Sequence, residues 1–196
     1  MRVGLGTGTT VAYLLPELAA GRKRLRCVAT SPATELAARA LGLTVEALDE
    51  VGELDIAIDG ADQVDPGGWL IKGGGGAHTR EKIVAASARR FVVIASADKA
   101  VEALAPPVPL ELVPFAVEHV LAAAGSARLR DVERSPDGGV IADYLGPVGD
   151  PRELAARLSA VPGVVEHGLF PPEMVSLVLI AGEGPIERRV GAKPGG

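Results

Sequence analysis

The chain has 196 residues, 47% of them hydrophobic but only 3% aromatic, and a formal net charge of −5. That length suffices for one sizeable core built from aliphatic side chains, and 25 glycines fit an α/β protein with tight turns. The acidic balance without a Lys/Arg run excludes bulk nucleic-acid binding, the single cysteine (Cys27) excludes intrachain disulfides and cysteine metal clusters, and no apolar run reaches the ~18 residues of a membrane span.

Taken in order, residues 2–5 form a short apolar strand that runs into Gly4-Leu5-Gly6-Thr7-Gly8-Thr9-Thr10. Apolar residues at helical spacing follow over 11–20. A strand entering a helix through Gly and Thr offers outward amides and hydroxyls to an anion. Position 9 is Thr and no acid lies near position 27, so the dinucleotide fingerprint fails, and the Gly-Lys-Ser/Thr of a P-loop is missing. The plain alternative is a well-capped helix.

A second strand is expected over 25–30, a helix from Thr30-Ser31-Pro32 to about Leu41 closed by Gly42, and strands over 44–48 and 55–58. Alternating strands and helices predict a parallel sheet with right-handed crossovers and ligands at the carboxyl ends of its strands. Thr7 to Thr10 and Asp59 to Asp62 both lie at such ends. Thr79 reads as the N-cap of a helix to about Arg89, with Glu81 near its second position. A strand over 91–96 follows, and Asp98 is expected to cap a short helix carrying Lys99 and Val101.

The run Ala105-Pro106-Pro107-Val108-Pro109 is the best boundary, dividing the chain into 1–108 with 172–196 and a small α+β unit over 109–171. Within that unit, strands are expected over 110–114, 128–132, 140–145 and 164–170. Helices are expected over 115–124 and from the Asp150 cap to about Ala160. Met174 to Ala181 and Glu187 to Val190 are the last strands, before a loose tail from Gly191.

Chemistry concentrates in residues 55–87. Asp59 and Asp62 flank the small Gly60 and Ala61, where a ligand can approach the backbone closely. Lys72 ends an apolar run and enters Gly73, Gly74, Gly75 and Gly76; it either snorkels to solvent or stands over a ligand as a fixed cation. Glu81 is either a helix-dipole partner or a general base, and Lys99 a surface lysine or the cation of a phosphate pocket. His78, His119 and His167 lack metal-ligand spacing and read as structural or surface residues, and Cys27 as a buried filler.

Together, Gly6-Thr7-Gly8-Thr9-Thr10, Ile58-Asp59-Gly60-Ala61-Asp62, Leu70-Ile71-Lys72-Gly73-Gly74-Gly75 and Arg80-Glu81-Lys82 resemble ribose-5-phosphate isomerase of type A. Lys99-Ala100-Val101, Pro114-Phe115-Ala116 and Pro162-Gly163-Val164-Val165-Glu166 with Gly168-Leu169-Phe170 continue the resemblance over nearly the whole chain. It implies a Rossmann-like parallel sheet with helices on both faces and an inserted ferredoxin-like α+β domain. It also implies cofactor-free and metal-free interconversion of ribose 5-phosphate and ribulose 5-phosphate in the pentose phosphate pathway, by a cytoplasmic homodimer or homotetramer. A non-catalytic sugar-phosphate sensor of the same fold is the alternative.

Carried over by the resemblance, Glu81 is the base and Lys72 the oxyanion stabiliser. Asp59 and Asp62 hold sugar hydroxyls, with Asp59 assisting ring opening. Thr7, Gly8, Thr9, Thr10 and Lys99 bind the phosphate end, and Gly60, Ala61, Gly73, Gly74 and Gly75 bind substrate through the backbone. The family pattern also implies a helix ahead of the first strand that lends a lysine to the phosphate pocket; the sequence begins at the strand.

Overall fold

In the computed structural model, residues 1–21 and 24–193 are described; the last three residues of the tail lie outside them. The first half contains β1 (Arg2–Leu5), α1 (Thr9–Ala20), β2 (Arg26–Ala29), α2 (Pro32–Ala40), β3 (Thr44–Val45), the single turn α3 (Leu48–Val51) and β4 (Ile56–Asp59). Then come β5 (Gln63–Val64), β6 (Leu70–Ile71), α4 (His78–Ala86), β7 (Phe91–Ser96) and β8 (Val108–Leu112). The remainder is α5 (Val117–Ala124), β9 (Ala127–Leu129), β10 (Val140–Tyr144), α6 (Pro151–Ser159), β11 (Val164–His167), β12 (Leu169–Phe170), β13 (Leu177–Ala181) and β14 (Glu187–Val190).

The main sheet has the order β14-β13-β7-β4-β1-β2-β3, parallel except for the antiparallel edge strand β14. Its connections run one way from β1 and the other way from β4, so the reversal point lies between these two neighbours. A crevice opens at the carboxyl ends of such a pair. Both faces are covered. Val3 and Leu5 pack with Val11 and Leu15 of α1 on one side. On the other, Gly4 lets α4 approach so closely that a Cβ there would lie 2.4 Å from Val84.

The segment from β8 to β11 folds as β-α-β-β-α-β into a four-stranded antiparallel sheet, β11-β8-β10-β9, with its own aliphatic core. Taken in chain order that is 4-1-3-2, the ferredoxin-like arrangement. A third ribbon, β12-β6-β5, lies between the two sheets in the chain's path and was not anticipated from sequence, its strands being two residues each.

Several expected elements shift. The expected strand over 44–48 stops at Val45 and gives way to α3. The expected strand over 164–170 divides at Gly168 between two sheets, because Gly168 donates to Pro109 O (2.7 Å) and accepts from Lys72 N (2.9 Å). Helix α4 starts at His78 behind Ala77, so Glu81 is its fourth residue, and it ends at Ala86. Thr79 lies inside the helix and so does not cap it; its hydroxyl donates to the Glu111 carboxylate of the four-stranded unit. Asp98 lies inside the one-turn helix Ala97–Lys99 rather than capping it, and Val101 lies beyond it. Strand β8 begins at Val108 and β13 at Leu177, the latter after a turn at Pro172–Met174. Helix α5 begins at Val117, after Ala116 at φ 57°. The caps of α2 and α6 follow the expected chemistry, Ser31 accepting from Thr34 N and Asp150 from Arg152 N. No described helix is long and apolar enough to cross a membrane.

Candidate active site

At the β1–β4 crevice three ionisable side chains meet, each at most 4% exposed: Asp59, Lys72 and Glu81. Asp59 ends β4, Lys72 follows β6, and Glu81 projects from the first turns of α4, so three separate elements converge on one point. Lys72 Nζ lies 2.8 Å from Asp59 Oδ2 and 3.2 Å from Glu81 Oε2, and donates to Gly60 O at 2.6 Å. The ring of Phe170 lies 5.5 Å from the same ammonium and supplies an apolar wall.

The two carboxylates are not equivalent. The other oxygen of Asp59 accepts backbone N–H groups of Thr7 (3.2 Å) and Gly60 (2.7 Å). That close seating requires Gly6, where a Cβ would lie 1.9 Å from Asp59 Oδ1. Glu81 has the ammonium of Lys72 beside it, 3.2 Å from Oε2, and that oxygen meets no other donor among the described residues.

Burial pushes both carboxyls above their ordinary values, with Lys72 opposing the shift in each. Asp59 is the better compensated, by two backbone donors as well as the closer ammonium. Burial carries Glu81 up to about 7, with Lys72 lowering and Asp59 raising it. Burial works against the charge on Lys72, but Asp59 and Glu81 outweigh it and hold the lysine above its usual range. The site therefore contains a fixed cation and a carboxyl poised to take or give a proton near neutrality.

A cavity of about 220 Å³ opens in front of this cluster. Thr7, Gly8, Thr9 and Thr10 line one side; Gly60, Ala61 and Asp62 another; Lys72, Gly73, Gly74, Gly75 and Glu81 the floor, with Lys99 at the rim. All the candidate residues come together here except Asp59, which sits behind Lys72 and is not part of the lining. The start of α1 faces the cavity, with Gly8 at φ 112° admitting the turn and the amides of Thr9 and Thr10 unspent on the helix. Thr7 Oγ1 is fixed by Thr30 Oγ1 at 2.7 Å, and Asp62 accepts from Gly74 N at 2.8 Å. Lys99 pairs with Asp98 at 3.0 Å.

A larger cleft of about 860 Å³ lies on the opposite side of α4 between α3 and the four-stranded unit. It holds none of the Asp59–Lys72–Glu81 cluster, and volume alone is no argument for chemistry. Among the described residues no group of three or more His, Cys, Asp or Glu could hold a metal ion. His78 and His167 are buried and held neutral, each pushed down to about 4 by burial and then by Lys82.

Phe170 and the side chains that brace α4 were given no role from sequence. Phe170 belongs to a quoted motif, but its place against Lys72 depends on the β6–β12 pairing, which no local pattern announces.

The family model described as ribose 5-phosphate isomerase A (phosphoriboisomerase A) matches residues 26–184. A ribose-5-phosphate isomerase A of Halobacterium salinarum is 50% identical over 180 residues, covering 86% of this chain and 79% of that protein. The solved structure of ribose 5-phosphate isomerase from Plasmodium falciparum superposes with a TM-score of 0.90 at 32% identity, covering 97% of this chain and 90% of that one. The ribose 5-phosphate isomerase A structure from Neisseria gonorrhoeae gives 0.91 at 31% identity, over 97% of this chain and 88% of that one.

Proposed function

The chain belongs to the ribose 5-phosphate isomerase A family, and from that premise we propose how it interconverts D-ribose 5-phosphate and D-ribulose 5-phosphate. The observation that carries the reading is the pairing of Glu81, poised at about 7, with Lys72 at 3.2 Å on the floor of a small cavity.

In this reading the open-chain aldose lies with C1 and C2 over Glu81. The carboxylate takes the proton from C2, and the electron pair moves through C1 onto O1, giving an enediolate. Lys72 stands beside the developing negative oxygen, a charge placed in advance on a buried side chain. Glu81 returns the proton to C1 while the O2 hydroxyl proton passes to O1, leaving the ketose. The base must be ionised to start and protonated midway, which a value near neutrality allows in both directions.

Asp59 holds Lys72 charged and aimed, and Asp62 meets the sugar hydroxyls. The Thr7-to-Thr10 turn and Lys99 receive the phosphate. Assembly as a cytoplasmic homodimer or homotetramer belongs to the same reading and is checked by sedimentation.

The decisive experiment mixes the purified chain with ribose 5-phosphate and follows ribulose 5-phosphate. Conversion is expected without added metal. Glu81→Gln should lower kcat by roughly 10²–10⁴-fold with a nearly unchanged KM; wild-type turnover in that variant would remove Glu81 from the mechanism.

A further inference from the structure

The part of the site least constrained by its own side chains is the glycine run after Lys72, so its conformation depends on partners outside the run. Gly73 sits at φ 100°, and a Cβ there would lie 2.7 Å from His78 Nδ1; a Cβ at Gly74 would come within 2.9 Å of Asp62 Oδ1. Side chains are thus excluded where the backbone is least restricted by its own residue types, since glycine limits its dihedrals least. Within the run, Gly76 N donates to Gly73 O at 3.0 Å.

The external partner comes from the four-stranded unit. Arg130 follows β9, and its Nε donates to Asp143 Oδ2 of β10 at 2.9 Å while Nη2 donates to the other carboxylate oxygen. That fork leaves Nη1, which donates to Gly73 O at 3.1 Å and to Gly74 O at 2.9 Å. The pair is largely buried, with side chains 17% and 18% exposed.

Across a trans peptide the C=O and the following N–H point in opposite directions. Turning Gly73 O toward Arg130 sends Gly74 N to the opposite side, where it meets Asp62. Turning Gly74 O toward Arg130 likewise sends Gly75 N away from the arginine. No acceptor among the described residues meets that amide, and Gly75 lines the cavity.

We propose that Arg130, braced by Asp143, is a positioning residue for the isomerisation, turning the glycine backbone so that the Gly75 amide is presented to the substrate's oxygens. This rests on the reading that the cavity binds the reacting sugar phosphate. It also makes the four-stranded unit a contributor to the site. A lysine cannot replace the arginine, because one ammonium on a flexible stem cannot fork Asp143 and reach two carbonyls in a fixed plane.

The test compares Arg130→Ala, Arg130→Lys and Asp143→Asn with the wild-type chain. Both Arg130 variants should lose roughly a hundredfold in kcat with a smaller change in KM, the scale of a misplaced donor. Guanidinium ion added to Arg130→Ala should restore turnover, and ammonium should not. Asp143→Asn keeps a neutral fork partner, so its loss should be smaller, and it serves if the Arg130 variants fail to fold. Glycine-selective ¹⁵N spectra give a readout independent of turnover: the amides of Gly74 and Gly75 should shift in Arg130→Ala and return with guanidinium. Unmoved glycine amides, or wild-type kcat and KM in Arg130→Ala, overturn the proposal. A wild-type chain without isomerase activity would defeat the functional reading instead, and the amide spectra would still decide the positioning.

Discussion

The two sides of helix α4 are built on opposite principles. Toward the four-stranded unit the side chains of Thr79, Arg80 and Lys82 all find polar partners, although His78 Nδ1 is buried without one. Thr79 donates to Glu111, Arg80 forks Asp137 at 2.7 Å, and Lys82 reaches Glu166 at 2.7 Å and His167 O at 2.6 Å. Toward the crevice, Glu81 has the Lys72 ammonium and little else. The same two turns of helix thus carry a densely paired bracing face and an undersupplied reactive one. Those three pairings fix the helix, so that the shortage at Glu81 persists instead of relaxing away. A buried carboxyl with too few donors is what lifts its proton affinity toward neutrality.

Breaking the reactive side at its cation should have the largest effect among these contrasts. Lys72→Met is expected to cost roughly 10²–10³-fold in kcat, read by steady-state assay. It leaves Asp59 and Glu81 facing each other without a counter-charge. Its melting temperature should therefore fall below wild type at alkaline pH and recover as acid protonates the pair. A variant equally stable at both pH values would show that the cluster is not charged as described.

Breaking the bracing side should reverse the balance. Glu111→Leu leaves the Thr79 and Ser135 hydroxyls without their buried acceptor, a loss of about 1–3 kcal/mol in chemical denaturation. Turnover should drop less than in Lys72→Met, because Arg80 and Lys82 still hold the helix.

The two faces of α4 also respond differently to pH. Because Glu81 must be ionised to take a proton, kcat/KM should rise with pH through about 7 and level off above it. Stability runs the other way. The folded chain keeps this proton up to about 7 whereas an ordinary glutamate releases it near 4.5, so the folded state binds more protons in that window. The Glu81 contribution to stability therefore declines as pH rises through it. Glu81→Gln should flatten that part of the melting curve. The smallest effect belongs to the exposed pair Arg89–Glu53, where Arg89→Ala should alter neither turnover nor melting measurably.

What the sequence made legible follows the range of the interactions involved. Glycine turns, capping Ser31 and Asp150, and the acid and lysine motifs are local, and their residue types are restricted by backbone geometry or nearby charge. They could be read in chain order. The ribbon β12-β6-β5 could not, because strands of two residues carry no period. Thr79 shows the same limit. A hydroxyl before a helix ordinarily caps it by accepting a backbone N–H, but here the helix starts one residue earlier, at His78, and the Thr79 hydroxyl inside it donates to buried Glu111 of a distant strand. Arg130 was read only as part of a strand. Its meaning depends on the register that sets β9 against β10, and on where that unit rests against the glycine run.

Three parts of the chain cross at Gly168. It donates to Pro109 O at 2.7 Å and accepts from Lys72 N at 2.9 Å, and a Cβ at this position would lie 2.2 Å from Lys72 O. The points where the four-stranded unit leaves and rejoins the chain are therefore adjacent, and a short graft could splice them together. Such a shortened chain would need only a short connection, yet it would lack Glu111, Asp137 and Glu166 behind α4 and Arg130 above the glycines. Easy to cut away in connectivity, the unit is indispensable in geometry, so a minimal version of this protein is limited by bracing and not by topology.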